Sequence, residues 1–511
     1  MGRAAPALSS PRPAELRGAS RAPRLPAGLL LALTLAVAAA LRVWRLNDVG
    51  FNSDEAVYSG QAAAIATDPD LEEFFPVFRA HPLLFQTLLS LGFRVHLADG
   101  FERFAAAVLG VATVYLVYQL GRLLYGRRTG LLAALLMALM PYHVVVSRQV
   151  LLDGPMTLFA TLTLVLFALY LTNHERLWLY AAGAAMGLTF LSKETSIVLL
   201  GGVYAFLALT PESGVRLRDL AVALGVMALV IAPFPLSLML AGRAGTGESY
   251  LTWQLFRRPN HDWLFYPQTV PEVIGPLVLL AAVMGLWLLR RQASWRERLL
   301  LCWIAVPVAF FQLWPVKGFQ YLLPIAPAVA VLAGRGLSGR WVSRPALGVL
   351  ATATVAASLL IPTWNRIDGA ARGSLLAGAG GVPGGREAGR WIDEHVPSGA
   401  TLMTIGPSMA NLVQFYGHRR AYGLSVSPNP LNRNPSYEPL PNPDQALRDN
   451  DVQYVVWDTF SASRSPKFAS RLLRYAARYN GRAVHSEVLR AGGDRGLVAR
   501  RPAIVVFEVR P

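Results

Sequence analysis

Long apolar runs separated by short charged clusters leave this chain few ways to fold. Runs near residues 27–44, 103–124, 129–147, 152–172, 177–191, 194–210, 218–240, 271–290, 298–315, 318–334 and 344–362 approach the ~20 residues that cross a bilayer as a helix. The sequence therefore predicts a polytopic α-helical membrane protein with about 11 transmembrane helices. The runs at 177–191 and 194–210 are short and split only by Ser192-Lys193-Glu194, so this pair also reads as one re-entrant or tilted segment.

Charge placement supports the same architecture. The net charge of +17 would point to nucleic acid in a soluble chain, but 53% of the 511 residues are hydrophobic and only 15% are charged. With the amino terminus in the cytoplasm, every second loop is basic: Arg127-Arg128, Arg176, Arg216 with Arg218, Arg290 with Arg291, Arg296 and Arg298, and Arg335 with Arg340 and Arg344. That alternation is the positive-inside bias of a plasma-membrane protein, and no nucleic-acid partner is expected. Arg42, Arg45 and Arg94 fall on the opposite side, so the rule holds as a bias. Residues 1–26, rich in Pro, Ala and Arg, are expected to form a disordered basic cytoplasmic tail, with the first run as an uncleaved signal anchor. The one cysteine, Cys302, lies inside an apolar run, which excludes disulfides and thiolate metal sites.

On this orientation, residues 27–365 form the membrane domain and residues 45–102 an outer loop. That loop opens Phe51-Asn52-Ser53-Asp54-Glu55 and ends His81-Pro82-Leu83, placing two adjacent carboxylates beside the bilayer. A helix is expected over Ser53–Ala66 and another over Pro82–Leu97, whose Leu83, Leu84, Leu88, Leu91 and Val95 suit the membrane surface. In the plainest account Ser53 caps the first helix, and Asp54 and Glu55 favour its dipole. Asp153, opening the fourth run, and the Ser192-Lys193-Glu194-Thr195 turn likewise read as a helix-end acid and a local ion pair. Lysine usage weighs against that account. Only Lys193, Lys317 and Lys467 stand among 48 basic residues, and the first two lie at outer membrane edges, where a compact ammonium suits phosphate.

A second outer loop, 242–269, is rich in Tyr, Trp, His and Arg, serving as interface anchors or as sugar-stacking surfaces. Beyond a linker at 366–385, residues 386–511 read as an extracytoplasmic α/β domain: helical over Arg386–His395, Asn411–Tyr416 and Ala469–Tyr479, and extended over Thr401–Ile405, Val452–Asp458 and Ala503–Val509. The run from Ser427 to Pro443 reads as a long loop. Glycines 380, 381, 384 and 385 form no phosphate-binding fingerprint.

Ionisable groups beside hydrophobic helices are costly unless paired, wet or used. Here Asp54, Glu55 and Asp153 can converge with Lys193, Lys317 and Arg148 on one outer-facing cavity. A lipid-phosphate sugar donor fits such a place: the tail needs an apolar groove, the phosphate needs cations, and the attacking hydroxyl needs a carboxylate base.

The ordered series of Asp54-Glu55, His81-Pro82-Leu83, Asp153, Ser192-Lys193-Glu194-Thr195 and Lys317 followed by Tyr321-Leu322-Leu323-Pro324 resembles the GT-C glycosyltransferases of the protein O-mannosyltransferase and lipid A aminoarabinose transferase type. The resemblance covers roughly residues 27–335. It implies an enzyme that moves a sugar from a polyprenyl-phosphate donor to a protein, lipid or glycan acceptor on the extracytoplasmic face. It implies Asp54 as catalytic base, Glu55 as its partner and Asp153 as a second acid, with His81 shaping the site, Lys193 on phosphate, and Lys317 with Tyr321 near the lipid phosphate. Arg148 and Glu194 complete the candidate substrate contacts. No organic cofactor is expected. Some relatives hold a divalent metal ion, for which Glu55, Asp153, His81 and His261 are the candidate ligands here. The rival expectation is a transporter or flippase for a lipid-linked sugar, which would place charges or broken helices near the bilayer midplane. The arginine-rich, lysine-poor composition points to a bacterial source.

Overall fold

The computed structural model describes residues 26–77, 81–97, 100–243, 246–257, 259–290, 294–339, 345–368, 382–489 and 501–511. The expected cytoplasmic tail, most of the linker, and Arg258, Arg291, Arg340 and Arg344 lie outside the described residues.

Each expected apolar run is helical. In chain order the helices are α1 (Ala27–Val43), α2 (Ser53–Ile65), α3 (Leu84–Arg94), α4 (Phe101–Tyr125), α5 (Arg127–Leu139) and α6 (Pro141–Val146). They continue as α7 (Asp153–Asn173), α8 (Arg176–Ser192), α9 (Ile197–Leu209), α10 (Leu217–Ile231), α11 (Pro233–Leu240) and α12 (Thr246–Phe256). The membrane region closes with α13 (Phe265–Ile274), α14 (Pro276–Leu289), α15 (Trp295–Leu313), a 3-10 turn Phe319–Ile325, α16 (Ala326–Leu337) and α17 (Pro345–Ile367).

Among the described residues, five helical spans are long and apolar enough to cross a bilayer, or six with the bent α13–α14 pair, fewer than the eleven expected from the apolar runs. Breaks account for part of the difference. Pro141 has no backbone N–H and ends α5 early; the freed Leu139 carbonyl accepts instead from Thr363 Oγ1 of α17 at 2.7 Å, which keeps a backbone group satisfied in an apolar setting. Gly275, at φ +99°, lets the chain turn 89° between α13 and α14, in a region of backbone space that favours glycine.

In the first outer loop, α2 and α3 form a hairpin under which Phe75 is fully buried. A Cβ on Gly60 would lie 2.3 Å from the Phe75 ring, so glycine is what lets this loop close. Helix α3 buries Phe85 and Leu89 and leaves Leu88, Leu91 and Val95 exposed. This outward apolar face is the one expected to rest on a membrane surface.

The C-terminal region adds α18 (Gly385–His395), β1 (Thr401–Thr404), α19 (Pro407–Gly417), β2 (Arg420–Gly423), α20 (Pro443–Arg448) and β3 (Tyr454–Asp458). It ends with α21 (Thr459–Arg464), α22 (Pro466–Arg478), β4 (Arg482–Leu489) and β5 (Arg501–Glu508). The sheet order is β2-β1-β3-β5-β4, with β1 parallel to β2 and β3, and β5 antiparallel to β3 and β4. Strands β2 and β4 and helices α20 and α21 were not expected from the sequence.

This region grips the first outer loop. Tyr416 Oη accepts from Phe51 N at 2.8 Å, Asn411 Nδ2 donates to Ser53 Oγ at 2.9 Å, and Arg386 donates to the carbonyls of Asn47 and Asp48. Phe415 sits between Phe51 and Phe75, with ring centroids 5.2 and 6.2 Å away. Aromatic pairs at such spacings add about 0.5–1.5 kcal/mol each beyond their buried area.

Candidate active site

Helix α2 begins with a capping box built on Asn52, where the sequence pointed to Ser53. Asn52 Oδ1 accepts from the backbone N–H groups of Asp54 and Glu55, and Glu55 Oε2 accepts from Asn52 N. The side-chain amide of Asn52 is held by Gln149 at 2.8 Å, which fixes it in the capping position. Ser53 Oγ is instead engaged by Asn411.

The two adjacent acids have different surroundings. Glu55 is 0% exposed. Its carboxylate accepts from Arg103 Nε and Nη2, both at 2.7 Å, from Val150 N at 3.1 Å and from Asn52 N at 2.9 Å. Arg103 also donates to the carbonyls of Leu46, Val49 and Gly50, gathering the segment that leads into α2. Glu55 is thus a brace locking α2 to α4 and to the start of α7. Asp54, one residue earlier, is half-buried.

Across from α2, Asp153 at the first turn of α7 is 2% exposed and Lys193, after α8, is 5% exposed. Lys193 Nζ lies 2.9 Å from both carboxylate oxygens of Asp153 and 4.9 Å from the centroid of the Tyr321 ring. The next residue, Glu194, meets His81 Nδ1 at 2.8 Å. The His81 ring in turn packs edge-on to Tyr58 of α2 and to Tyr250 of α12, at 6.1 and 5.4 Å.

Tyr58 is the hub. Burial, then the charges of Asp54 and Asp153, then Tyr250 and Glu194, hold its phenol well above the usual tyrosine range. It is therefore a neutral hydrogen-bonding group among acids. Burial and then Glu194 and Tyr321 hold Tyr250 high as well. Arg257, just after α12, lies 4.7 Å from the Trp253 ring, and its charge reaches Tyr250 and Tyr321. The outer domain contributes Arg464, at the end of α21, which stands 4.1 Å over the Phe460 ring. Burial lowers the guanidinium of Arg464 while the charge of Asp54 pulls it back up.

Two other expected contacts are engaged by backbone carbonyls. Arg148 donates to the carbonyls of Leu41, Arg42 and Trp44, closing the C-terminal end of α1. Lys317 Nζ donates to the carbonyls of Gln312 and Trp314 at the end of α15, with Trp263 5.6 Å away. Both satisfy helix-end carbonyls that would otherwise lack partners. His261 stacks on Phe265 at 4.0 Å, and burial followed by the charge of Arg464 pushes its imidazole down.

Each of three metal-ligand candidates is engaged by a side chain of the protein. Arg103 holds Glu55, Lys193 holds Asp153 and Glu194 holds His81. Among the described residues no group of three or more His, Cys, Asp or Glu is arranged to hold a metal ion.

Three site residues escaped the sequence reading. Tyr58 carried a signal, because four residues after Asp54 it shares that helix face. Arg103 opens an apolar span, and nothing in its spacing names Glu55 as partner. Arg464 reaches the site only through the fold of the outer domain.

Residues 80–238 match the family model described as dolichyl-phosphate-mannose-protein mannosyltransferase. An undecaprenyl phosphate-alpha-4-amino-4-deoxy-L-arabinose arabinosyl transferase of Pectobacterium carotovorum is 28% identical over 253 residues, 46% of this chain and 45% of the relative. The chain thus spans about half the length of the curated relatives it matches. Crystal structures of ArnT from Cupriavidus metallidurans share the fold. The apo form has a TM-score of 0.70 at 15% identity, and the form bound to undecaprenyl phosphate 0.65 at 14%, each covering 94% of this chain and 97% of the other. In its ordered motifs, its matched family segment and its fold, the chain resembles the GT-C membrane glycosyltransferases of the O-mannosyltransferase and aminoarabinose transferase type.

Proposed function

We propose that this protein is a multi-pass membrane glycosyltransferase that moves a sugar from a polyprenyl-phosphate donor to an acceptor hydroxyl, with inversion. The observation that carries the reading is the division of labour within Asp54-Glu55. Glu55 is bound by Arg103, Val150 and Asn52, whereas the charge of half-buried Asp54 acts on Tyr58, which the charge of Asp153 also reaches. The donor class is supported by the relative named for undecaprenyl phosphate-aminoarabinose transfer and by the neighbour of the same fold bound to undecaprenyl phosphate.

In the proposed step the Asp54 carboxylate takes the proton of the acceptor hydroxyl. The hydroxyl oxygen forms a bond to the anomeric carbon as that carbon's bond to the phosphate oxygen breaks. The bonding pair leaves with the lipid phosphate. A single displacement of this kind needs one base and inverts the anomeric centre. Lys193, oriented by Asp153, and Arg257 supply fixed positive charge for the departing phosphate. The apolar groove for the tail is expected between the spans, all eleven runs crossing the membrane, with the site and the outer domain on the extracytoplasmic face of a bacterial plasma membrane. The alternating arginine loops support that orientation.

The test is transfer of radiolabelled sugar from defined polyprenyl-phosphate sugars to a membrane extract, comparing wild type with Asp54→Asn. Asp54→Asn is expected to lower transfer by at least 100-fold, on the order of a lost general base, while expression and the unfolding midpoint persist. Equal transfer by the two proteins removes Asp54 as the base.

A further inference from the structure

Where the outer domain meets the first outer loop, a cavity of about 280 Å³ opens between β2, the start of α19 and the loop residues Glu73, Phe74 and Pro76. It lies at the small end of the roughly 300–1,000 Å³ typical of ligand sites. We propose that this cavity is a carbohydrate subsite that seats a neutral or amine-bearing glycan acceptor on its way to Asp54. The assignment of the glycan as acceptor rests on the transferase reading; the binding chemistry does not.

The lining determines the ligand class. Glu73 and Glu438 offer carboxylate acceptors, Asn411 and Gln414 offer carboxamides, and Tyr422 and Phe74 offer rings. The cation lining it, Arg420, is already paired with Glu73. With Glu73 and Arg420 cancelling each other, Glu438 leaves the wall net negative, which disfavours phosphate and other anions. A sugar has hydroxyls on its edges and an apolar C–H face, matching interleaved polar groups and aromatic rings. Asn411 is 2% exposed and lines the cavity, and its amide donates to Ser53 Oγ.

A peptide strand fits less well. Strand β2 is at the sheet edge but has only four residues, and its Ala421 carbonyl already accepts from Gln414 at 3.5 Å. Position gives the cavity its role. Its wall includes Glu73, Phe74 and Pro76 of the outer loop that also carries Asp54, and Asn411, whose amide bonds Ser53, the residue before Asp54.

The full chain in lipid nanodiscs would be titrated with mannopentaose, chitotetraose, a glucosamine tetramer and a Ser/Thr-rich peptide, followed by saturation-transfer NMR and calorimetry. The expected result is binding of at least one oligosaccharide, weakened at least tenfold by Tyr422→Ala and by the exposed change Glu438→Gln, each checked for an unaltered unfolding midpoint. Asp54→Asn is expected to keep the oligosaccharide bound while losing transfer. No binding of any sugar, binding indifferent to both cavity variants, or binding of the peptide alone overturns the proposal. Cavity-dependent sugar binding in a wild-type protein that transfers sugar from none of the donors upholds the subsite and removes the transferase reading.

Discussion

Glu55→Gln separates a brace from a catalytic acid. In the wild type four donors converge on the Glu55 carboxylate, two of them from a buried guanidinium at 2.7 Å. Glutamine keeps the shape and one carbonyl oxygen, but turns an NH2 group toward donors and leaves the charge of Arg103 buried without its carboxylate. Breaking a buried pair from one side costs about 3–5 kcal/mol. The double variant Glu55→Gln with Arg103→Met removes both charges, and neutral replacement of a buried pair is often nearly neutral in stability. Stability would be read from thermal unfolding in detergent, and turnover from the radiolabel transfer assay. The single variant is expected to lose stability by that amount and transfer with it, as α2 loosens and Asp54 drifts. The double variant, which still lacks the donors of Arg103 to the carbonyls of Leu46, Val49 and Gly50, is expected to regain part of the stability and a measurable part of the transfer. If Glu55→Gln unfolds at the wild-type midpoint yet abolishes transfer, and the double variant is equally inactive, Glu55 takes part in the chemistry and the reasoning here is wrong.

Three further outcomes follow from the geometry. Lys193→Met strands the Asp153 carboxylate in a buried site and should cost about 3–5 kcal/mol, with Asp153→Asn added to it restoring the unfolding midpoint but not transfer. Gly60→Ala places a methyl 2.3 Å from the Phe75 ring and should cost about 1–3 kcal/mol by overpacking, whereas the open site Gly225 should accept alanine with an unchanged midpoint. The Asp458 carboxyl, fully buried at the end of β3 with Oδ2 unpartnered, is pushed up by burial. Because the folded state then holds its proton more tightly than the unfolded chain, the stabilisation is complete below the ordinary aspartate value of about 4 and is lost as pH rises through the raised value. Asp458→Asn, which keeps an acceptor for Ser461 N, should flatten the part of the stability profile that lies above the ordinary aspartate value of about 4; a slope of unchanged size would locate the titration elsewhere.

The apolar runs and their helices were legible because hydrophobic length is a local property. The meeting of Asp153 with Lys193, 40 residues apart, was legible only through sidedness, which brought both to one membrane edge. Sidedness could not say which cation at that edge faces the site. Arg148 and Lys317 look like phosphate contacts on paper, yet the nearest unsatisfied acceptors are the terminal carbonyls of α1 and α15, and each cation goes there. The choice of Asn52 over Ser53 as cap was likewise invisible, since both residue types cap well and the decision is made by Gln149 and Asn411 from distant parts of the chain. Strand β2 has four residues, too few to show a period, and β4 carries Arg482, His485 and Glu487 where an alternating apolar face would have announced it.

Helix α2 is held at its root by Arg103 from the membrane side and by Asn411 and Tyr416 from the outer domain. The smallest interchangeable part of this architecture is therefore larger than the C-terminal domain. A chimera that imports a foreign outer domain without residues 47–76 would break Arg386 from its carbonyls, Phe415 from its aromatic neighbours and Asn411 from Ser53 together. Loop and domain are one inheritable module, and a change in either has to be matched in the other.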